Sequence, residues 1–540
     1  MQELLKEYFG EIALLIYILY PLLKRLWNRL NKKGDAAPKP DKAARKTRAR
    51  RRAERSPPPE PRREPPVTPP PPAVPQRSPE ADFLEAARSQ AQTLKQEATR
   101  LLARAEMDPR LQRLLPSLRD DLLGRVEAIE RSLDGRPTMS TVADDTTFLR
   151  GLALLLRHLQ TMARQRGNIG SSFQADADEM ADACYAPLLE LARAQGLKLR
   201  SSQPVAVTGD WDLSIVPRFA STRVAPLRLP AGFENSLWRW PAIAHEVAYD
   251  FYYSLDGLEQ SLHQRTGLPM EVEMPASSAE LDGAWLRGLF GAWLPEIFAD
   301  VFGTVSLGPA YVESMRRMFR NPGSPQQTAA ILQDGRLMDE HPPARLRLFM
   351  ATRVLHHLGR HNEANDLWER WESDHSGVRL YYLPLGGQWV GLADETLHSI
   401  ASSVIDVLVQ HAWPELEGFQ LLNIPGFAYL HGEHAEVRRL LRNLARGETV
   451  KGDVRWIMAA AVLAAAAQPS LHDSILDAAK RSIVGIGEER KMVGETERPS
   501  EPQSIAAQLV ASLRQPRALE EAIALGAALT PYRRPRWRRR

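Results

Sequence analysis

The chain has 540 residues and is 44% hydrophobic, so it is long enough to bury more than one hydrophobic core. Its single cysteine, Cys184, excludes an internal disulfide framework and a zinc module built from several cysteines. The net charge of +4 hides a segment, residues 24–63, that carries +12, and six arginines in the last eight residues, so the rest of the chain is acidic and nucleic acid is an unlikely partner.

The amino-terminal residues 1–33 have the pattern of a membrane anchor. Residues 12–23 (IALLIYILYPLL) are uncharged and are followed by Lys24 and Arg25. Twelve helical residues span only about 18 Å of a hydrocarbon core of about 30 Å, whereas residues 8–27 are long enough to cross it. Apolar residues also recur at helical spacing, which leaves an interfacial helix or a helix packed on protein as alternatives. We expect a single-pass or interfacial anchor, with the body on the cytoplasmic side.

Residues 34–80 are predicted to be a disordered linker. They are first rich in Lys and Arg and then rich in proline, with almost no apolar side chains to bury. The basic part is suited to anionic lipid, or it is simply a solvated tether. Because no aromatic residue lies between these charges, specific binding of nucleic acid is disfavoured.

Helical patterns dominate the folded part of the sequence. Over residues 81–199 leucines and alanines recur at helical spacing, which predicts a helical bundle or arm. We expect its third helix to open at Asp144 and Asp145. Residues 361–540 are predicted to be a C-terminal helical domain with a basic tail, in which the apolar residues 457–467 are too few to cross a membrane and form a buried helix.

In the middle of the chain the sequence pattern changes from helical to β-prone. Three short β-prone runs, residues 205–207, 213–216 and 224–229, are separated by Gly209-Asp210 and Pro217. They predict a small sheet at the start of a central domain over residues 200–360. The expected fold class is therefore mainly α with a small β-sheet.

Directly after these runs, residues 245–250 read His-Glu-Val-Ala-Tyr-Asp. In a zinc-peptidase helix of the His-Glu-x-x-His type, two imidazoles four residues apart hold Zn²⁺ and the glutamate is the general base. Here His245 and Glu246 are present, but Tyr249 takes the position of the second imidazole. Asp250 lies roughly 140° away from His245 around the helix and cannot replace it.

Further acidic residues follow at helical spacing. Glu296 and Asp300 are four residues apart and lie on the same side of a helix. A glutamate there can supply a third zinc ligand, and the aspartate can orient a ligand histidine. Farther along, the segment from His341 to Arg347 reads His-Pro-Pro-Ala-Arg-Leu-Arg.

These segments, in this order, resemble the gluzincin class of zinc metallopeptidases. They are similar to a bacterial, membrane-anchored group in which a His-Glu-x-x-His-Asp helix precedes Glu-x-x-Ala-Asp, Gly-Pro-Ala-Tyr and His-Pro-Pro…Arg. The resemblance covers about residues 218–355, and more weakly residues 454–470. It implies a zincin-like central domain, with His245 and Glu296 as zinc ligands, Glu246 as the general base, and Asp300 and His341 supporting the ligands.

The presence of Tyr249 in place of the second zinc histidine decides what chemistry to expect. A phenol ionises with a pKa of about 10, so Tyr249 is a doubtful metal ligand, and we expect zinc to bind weakly or not at all. The first hypothesis is a degenerate peptidase domain that serves as a binding or scaffold module near the membrane, with a protein partner. The alternative is an active zinc peptidase that acts on peptides and uses His245, Glu296 and Tyr249 or another residue. A third is a chance resemblance in a helical protein.

Overall fold

The computed structural model describes residues 78–494, except for 136, 168–171, 198, 200–202, 210–211, 217–223, 271–282, 321–340, 376–379 and 386–387. Residues 89–502 form one compact unit, and of the second unit only residues 78–88 are described. The anchor predicted over residues 1–33, almost all of the linker and the basic tail therefore lie outside the described residues. In the part that is described, no helix is both long and apolar enough to cross a membrane.

The first described segment is helical, as predicted. Its elements are α1 (Pro79–Met107), a 3₁₀ turn (Pro109–Leu114), a π-helical segment (Ser117–Leu123), α2 (Gly124–Asp134), α3 (Met139–Arg166) and α4 (Ser172–Gln195). Helix α3 begins before the predicted Asp144, because the Thr138 hydroxyl accepts a hydrogen bond of 3.2 Å from the amide of Thr141 and caps the helix there.

A three-stranded sheet follows, also as predicted. It consists of β1 (Gln203–Gly209), β2 (Ser214–Ile215) and β3 (Val224–Pro230), in the order β1-β3-β2. Strand β3 pairs with β1 in parallel and with β2 in antiparallel orientation. Helices α3 and α4 pack on β1, and the Asp178 carboxylate on α4 accepts a hydrogen bond of 2.7 Å from the Ala206 amide.

The helices after the sheet carry the candidate site residues. They are α5 (Ala242–Ser254), α6 (Leu258–Thr266), α7 (Gly283–Ala292), α8 (Leu294–Leu307) and α9 (Pro309–Met318), preceded by 3₁₀ turns at Phe233–Asn235 and Leu237–Arg239. Helix α5 is mostly buried and packs along α8, where Phe251 contacts Phe298 and Phe302. A chain reversal at Gly308, whose φ is +59°, separates α8 from α9, and a side chain at that position would collide with the ring of Tyr429.

The C-terminal part is helical with one exception. Its elements are α10 (Ala344–His357), α11 (His361–Asp374), β4 (Leu380–Leu385), β5 (Gln388–Ala393), α12 (Asp394–Gln410), α13 (His431–Leu444), α14 (Val454–Ala467) and α15 (His472–Gly494), with 3₁₀ turns at Pro414–Leu416, Leu421–Asn423 and Pro469–Leu471. Helix α14 is buried, as its apolar sequence predicts.

The antiparallel β4–β5 hairpin corrects the expectation of an all-helical segment after residue 360. Its two strands contain the aromatic residues Tyr381, Tyr382 and Trp389, and Gly386-Gly387 stands between them in the sequence, which is a hairpin signal. Taken together, the described residues form a mainly α fold with a small β-sheet, as predicted. The domain boundaries at residues 199 and 360 stay a prediction.

Candidate functional site

The segments singled out in the sequence meet at a cleft of about 290 Å³. Its lining comes from the residues just before β2, the end of β3, the 3₁₀ turn before α5, α5 itself, α9 and the start of α10. The apolar part of the lining includes Met315, Met318 and Phe319 at the end of α9. The polar part includes His245 and Glu246.

His245 is buried between two carboxylates of α8. Its Nδ1 lies 3.0 Å from Asp300 Oδ1 and its Nε2 lies 3.2 Å from Glu296 Oε2. The four-residue spacing of Glu296 and Asp300 presents both carboxylates to the same imidazole, as predicted. Burial alone lowers the pKa of His245, but the two carboxylates outweigh it and raise the pKa to about 10.

Asp300 is the centre of a buried network. Arg347 donates to both of its carboxylate oxygens, from Nε at 2.7 Å and from Nη2 at 2.8 Å, and the Tyr311 hydroxyl donates to Oδ1 at 2.8 Å. Although burial opposes it, the Arg347 guanidinium holds the pKa of Asp300 well below its usual range. Asp300 is therefore a fixed carboxylate that orients His245 through Nδ1.

The sequence assigned no role to Tyr311 or Arg347, although both lie in the segments that carry the resemblance. Their chemistry is the signal that could have found them: a buried aspartate needs a cation and a hydrogen-bond donor, and these two residues provide them. Arg345, two residues before Arg347, instead pairs with Glu372 and with Asp394.

Charged neighbours, rather than hydrogen bonds, surround one of the two carboxylate oxygens of Glu296. Among the described residues, no hydrogen bond reaches the buried Oε2, although His245 Nε2 is 3.2 Å and Arg347 Nη2 is 3.8 Å away. The other oxygen, Oε1, lies 3.2 Å from His341 Nε2. One carboxylate thus stands between two imidazoles.

His341 is the most exposed member of the cluster, with half of its side chain accessible. It lines the cleft together with His245 and Glu246. It precedes α10, the helix that carries Arg347, so one short segment contributes both residues to the site.

Glu246 lines the cleft, one residue after His245 on α5. Its Oε2 accepts a hydrogen bond of 2.7 Å from the backbone amide of Ile215 in β2. Burial raises the pKa of Glu246, helped by the nearby Glu296 carboxylate and opposed by His245. A carboxylate with a raised pKa beside a cleft is suited to accepting and returning a proton.

Tyr249 is not among the described residues that line the cleft. Its ring packs at a tilt against the rings of His245 and Tyr253, at centroid distances of 5.9 Å and 5.8 Å. Asp250 points away as well, as the helical geometry predicts, and accepts a hydrogen bond of 2.7 Å from the Tyr185 hydroxyl.

The donors present fit a metal ion in part. Over the residues that the structure describes, no group of three or more His, Cys, Asp or Glu side chains is already arranged to hold one. His245 Nε2 and Glu296 nevertheless converge, and an oriented imidazole with a buried carboxylate is a suitable beginning for a zinc site. No protein-family model, curated protein or solved structure matches this chain.

Proposed function

We propose that the chain is a membrane-anchored binding module, whose zincin-like cleft holds an extended segment of a partner protein without hydrolysing it. The position of Tyr249 carries this proposal. The residue that stands where a peptidase has its second zinc histidine packs against Tyr253 instead of lining the cleft. The helix position that holds a zinc ligand in a peptidase therefore contributes nothing to the cleft here, while the cleft itself persists.

The walls of the cleft support a peptide as the ligand. The apolar side formed by Met315, Met318 and Phe319 suits apolar side chains, and methionines adapt to varied partners. The lining also includes Leu213, just before the short strand β2, and the cationic Arg239. A mostly apolar cleft with a few polar groups suits an extended segment that carries both kinds of side chain.

The test uses the full chain in detergent micelles and fluorescein-labelled casein as an unfolded probe. Fluorescence anisotropy measures binding, and gel electrophoresis follows cleavage in the presence of zinc. We expect saturable binding without cleavage. Met318→Glu, which places a charge on the apolar wall, should weaken binding about 10-fold.

The matched control is Met270→Glu, since Met270 is exposed but does not line the cleft. It should bind casein like the unaltered chain. Equal binding by both variants would place the peptide elsewhere, and an absence of binding would overturn the proposal. Casein cleavage that Glu246→Gln abolishes would replace the binding module by an enzyme.

A zinc peptidase is the second candidate, and one observation favours it. The network of Asp300, Arg347 and Tyr311 orients His245 in the way that supports a metal-ligating histidine. When bound at His245 and Glu296, zinc would supply Lewis-acid activation of water. Glu246 would then accept the proton of that water at its carboxylate and pass it to the leaving amine.

A further inference from the structure

We infer that His341, and not Tyr249, completes a metal site with His245 and Glu296. The inference goes beyond the proposed function, because metal binding is measured without any peptide and does not require hydrolysis. It changes the ligand set that the sequence motif implies, by taking the third donor from the segment before α10 instead of from α5.

The first support is the spacing of the donors. Two ligands at about 2.0–2.2 Å from one zinc ion, at a tetrahedral angle, lie roughly 3.3 Å apart. His245 Nε2 lies 3.2 Å from Glu296 Oε2, and His341 Nε2 lies 3.2 Å from Glu296 Oε1. Each imidazole therefore lies at ligand spacing from one oxygen of the same carboxylate.

The second support is the buried oxygen of Glu296. Within the described residues Oε2 has no hydrogen-bond donor. Burying a carboxylate oxygen without a donor raises the free energy of the folded state. A cation bound between Oε2 and His245 Nε2 would satisfy it. Asp300 holds Nδ1 of the same imidazole, which fixes Nε2 as the ring nitrogen that faces Glu296.

The third support is where His341 and Tyr249 lie, since these two residues are the candidates for the third ligand. His341 lines the cleft, whereas Tyr249 is not among the lining residues and its ring packs at a tilt against that of Tyr253. Half of the His341 side chain is accessible, so a metal ion in the cleft can reach the imidazole from solvent. An imidazole binds divalent zinc or cobalt without the deprotonation that a phenol requires.

The experiment titrates the metal-free full chain with Co²⁺ and follows the visible absorption band of the bound ion, with the metal-to-protein ratio measured after dialysis against Zn²⁺. We expect one ion per chain. His341→Ala should weaken Co²⁺ binding at least about 10-fold, and Tyr249→Phe should leave it unchanged. His361→Ala, at an exposed histidine outside the cleft, is the control and should also bind like the unaltered chain.

A second variant separates ligation from an indirect effect. In His341→Cys a coordinated thiolate would add an intense sulfur-to-cobalt charge-transfer band in the near ultraviolet, which only direct contact produces. A chain that binds no Co²⁺, a His341→Ala variant that binds normally, or a His341→Cys variant without that band would each overturn the inference. Loss of binding in Tyr249→Phe would return the ligand role to Tyr249. Casein binding by the same samples reports separately on the proposed function.

Discussion

Asp300 shows how one carboxylate organises the cleft. It accepts hydrogen bonds from Arg347 and Tyr311 and contacts the imidazole of His245. The aspartate, the tyrosine and the histidine are buried, and only about a tenth of the arginine side chain is exposed. Removing it would leave the Arg347 guanidinium buried without its main partner. Breaking a buried ion pair on one side costs far more than the pair itself contributes.

We therefore expect Asp300→Ala to lower the free energy of unfolding by about 3–5 kcal/mol. Urea denaturation followed by tryptophan fluorescence measures the change. Asp366→Ala is the control, because Asp366 pairs with Arg370 on the surface and should contribute less than about 1 kcal/mol. A loss of less than about 1 kcal/mol for Asp300→Ala would mean that the network is not a stabilising unit.

Helical spacing predicted that Glu296 and Asp300 share one side of a helix, and only the resemblance implied that they lie beside His245 and Glu246. Neither argument assigned a role to Arg347 or Tyr311, since which donors reach a buried carboxylate depends on how the helices pack. Nor did they predict the direction of Tyr249, whose ring packs at a tilt against Tyr253.

At the scale of elements, the corner between α8 and α9 determines how Tyr311 reaches Asp300. Gly303 on α8 faces the ring of Tyr311, and a Cβ at that position would overlap the ring. The two helices can pack this closely because glycine has no side chain, and cores tolerate little extra volume.

Gly303→Ala should accordingly destabilise the chain by about 1–3 kcal/mol and move Tyr311 off Asp300. The matched control is Gly151→Ala, in the middle of α3, where the added methyl group meets no atom within 4 Å. That substitution should stabilise by about 0.5–1 kcal/mol, as alanine does in a helix interior. Thermal unfolding of both variants gives the comparison, and equal shifts would contradict the packing described for Tyr311.

The strands show that a sequence pattern can predict where strands lie but not how they pair. The three runs before α5 were located correctly, because β-prone residues and turn residues alternate there. The parallel pairing of β1 with β3 was not predicted, since it depends on helices α3 and α4 packing on β1. The β4–β5 hairpin was missed although the Gly-Gly pair at 386–387, a hairpin signal, is visible in the sequence.

For the molecule as a whole, α4 connects distant parts of the chain, since it packs against β1, α5, α14 and α15. Asp176 on this helix is buried, and burial raises its pKa to about 7, with Lys480 on α15 opposing the shift. The folded chain thus holds a proton there at a pH where the unfolded chain has lost it.

The consequence is a pH-dependent stability. From about pH 4, where the unfolded carboxyl ionises, up to about pH 7, the contribution of Asp176 should fall with rising pH. We expect the stability advantage of Asp176→Asn over the unaltered chain to grow by about 2–3 kcal/mol between pH 5 and pH 8. Urea denaturation at both pH values measures this, with the exposed Asp477→Asn on α15 as the control. A stability difference independent of pH would exclude a protonated Asp176.

The bond between Glu246 and the Ile215 amide has a consequence beyond the cleft. Strand β2 is only two residues long, and this amide is bonded to a side chain in place of another strand. A short strand closed in this way offers no template for edge-to-edge association between copies. Glu246→Gln keeps an oxygen that can accept the same hydrogen bond. Glu246→Ala removes the acceptor of the Ile215 amide, and we expect it to promote aggregation through the strand edge. Loss of function in the alanine variant would then report on solubility as much as on chemistry.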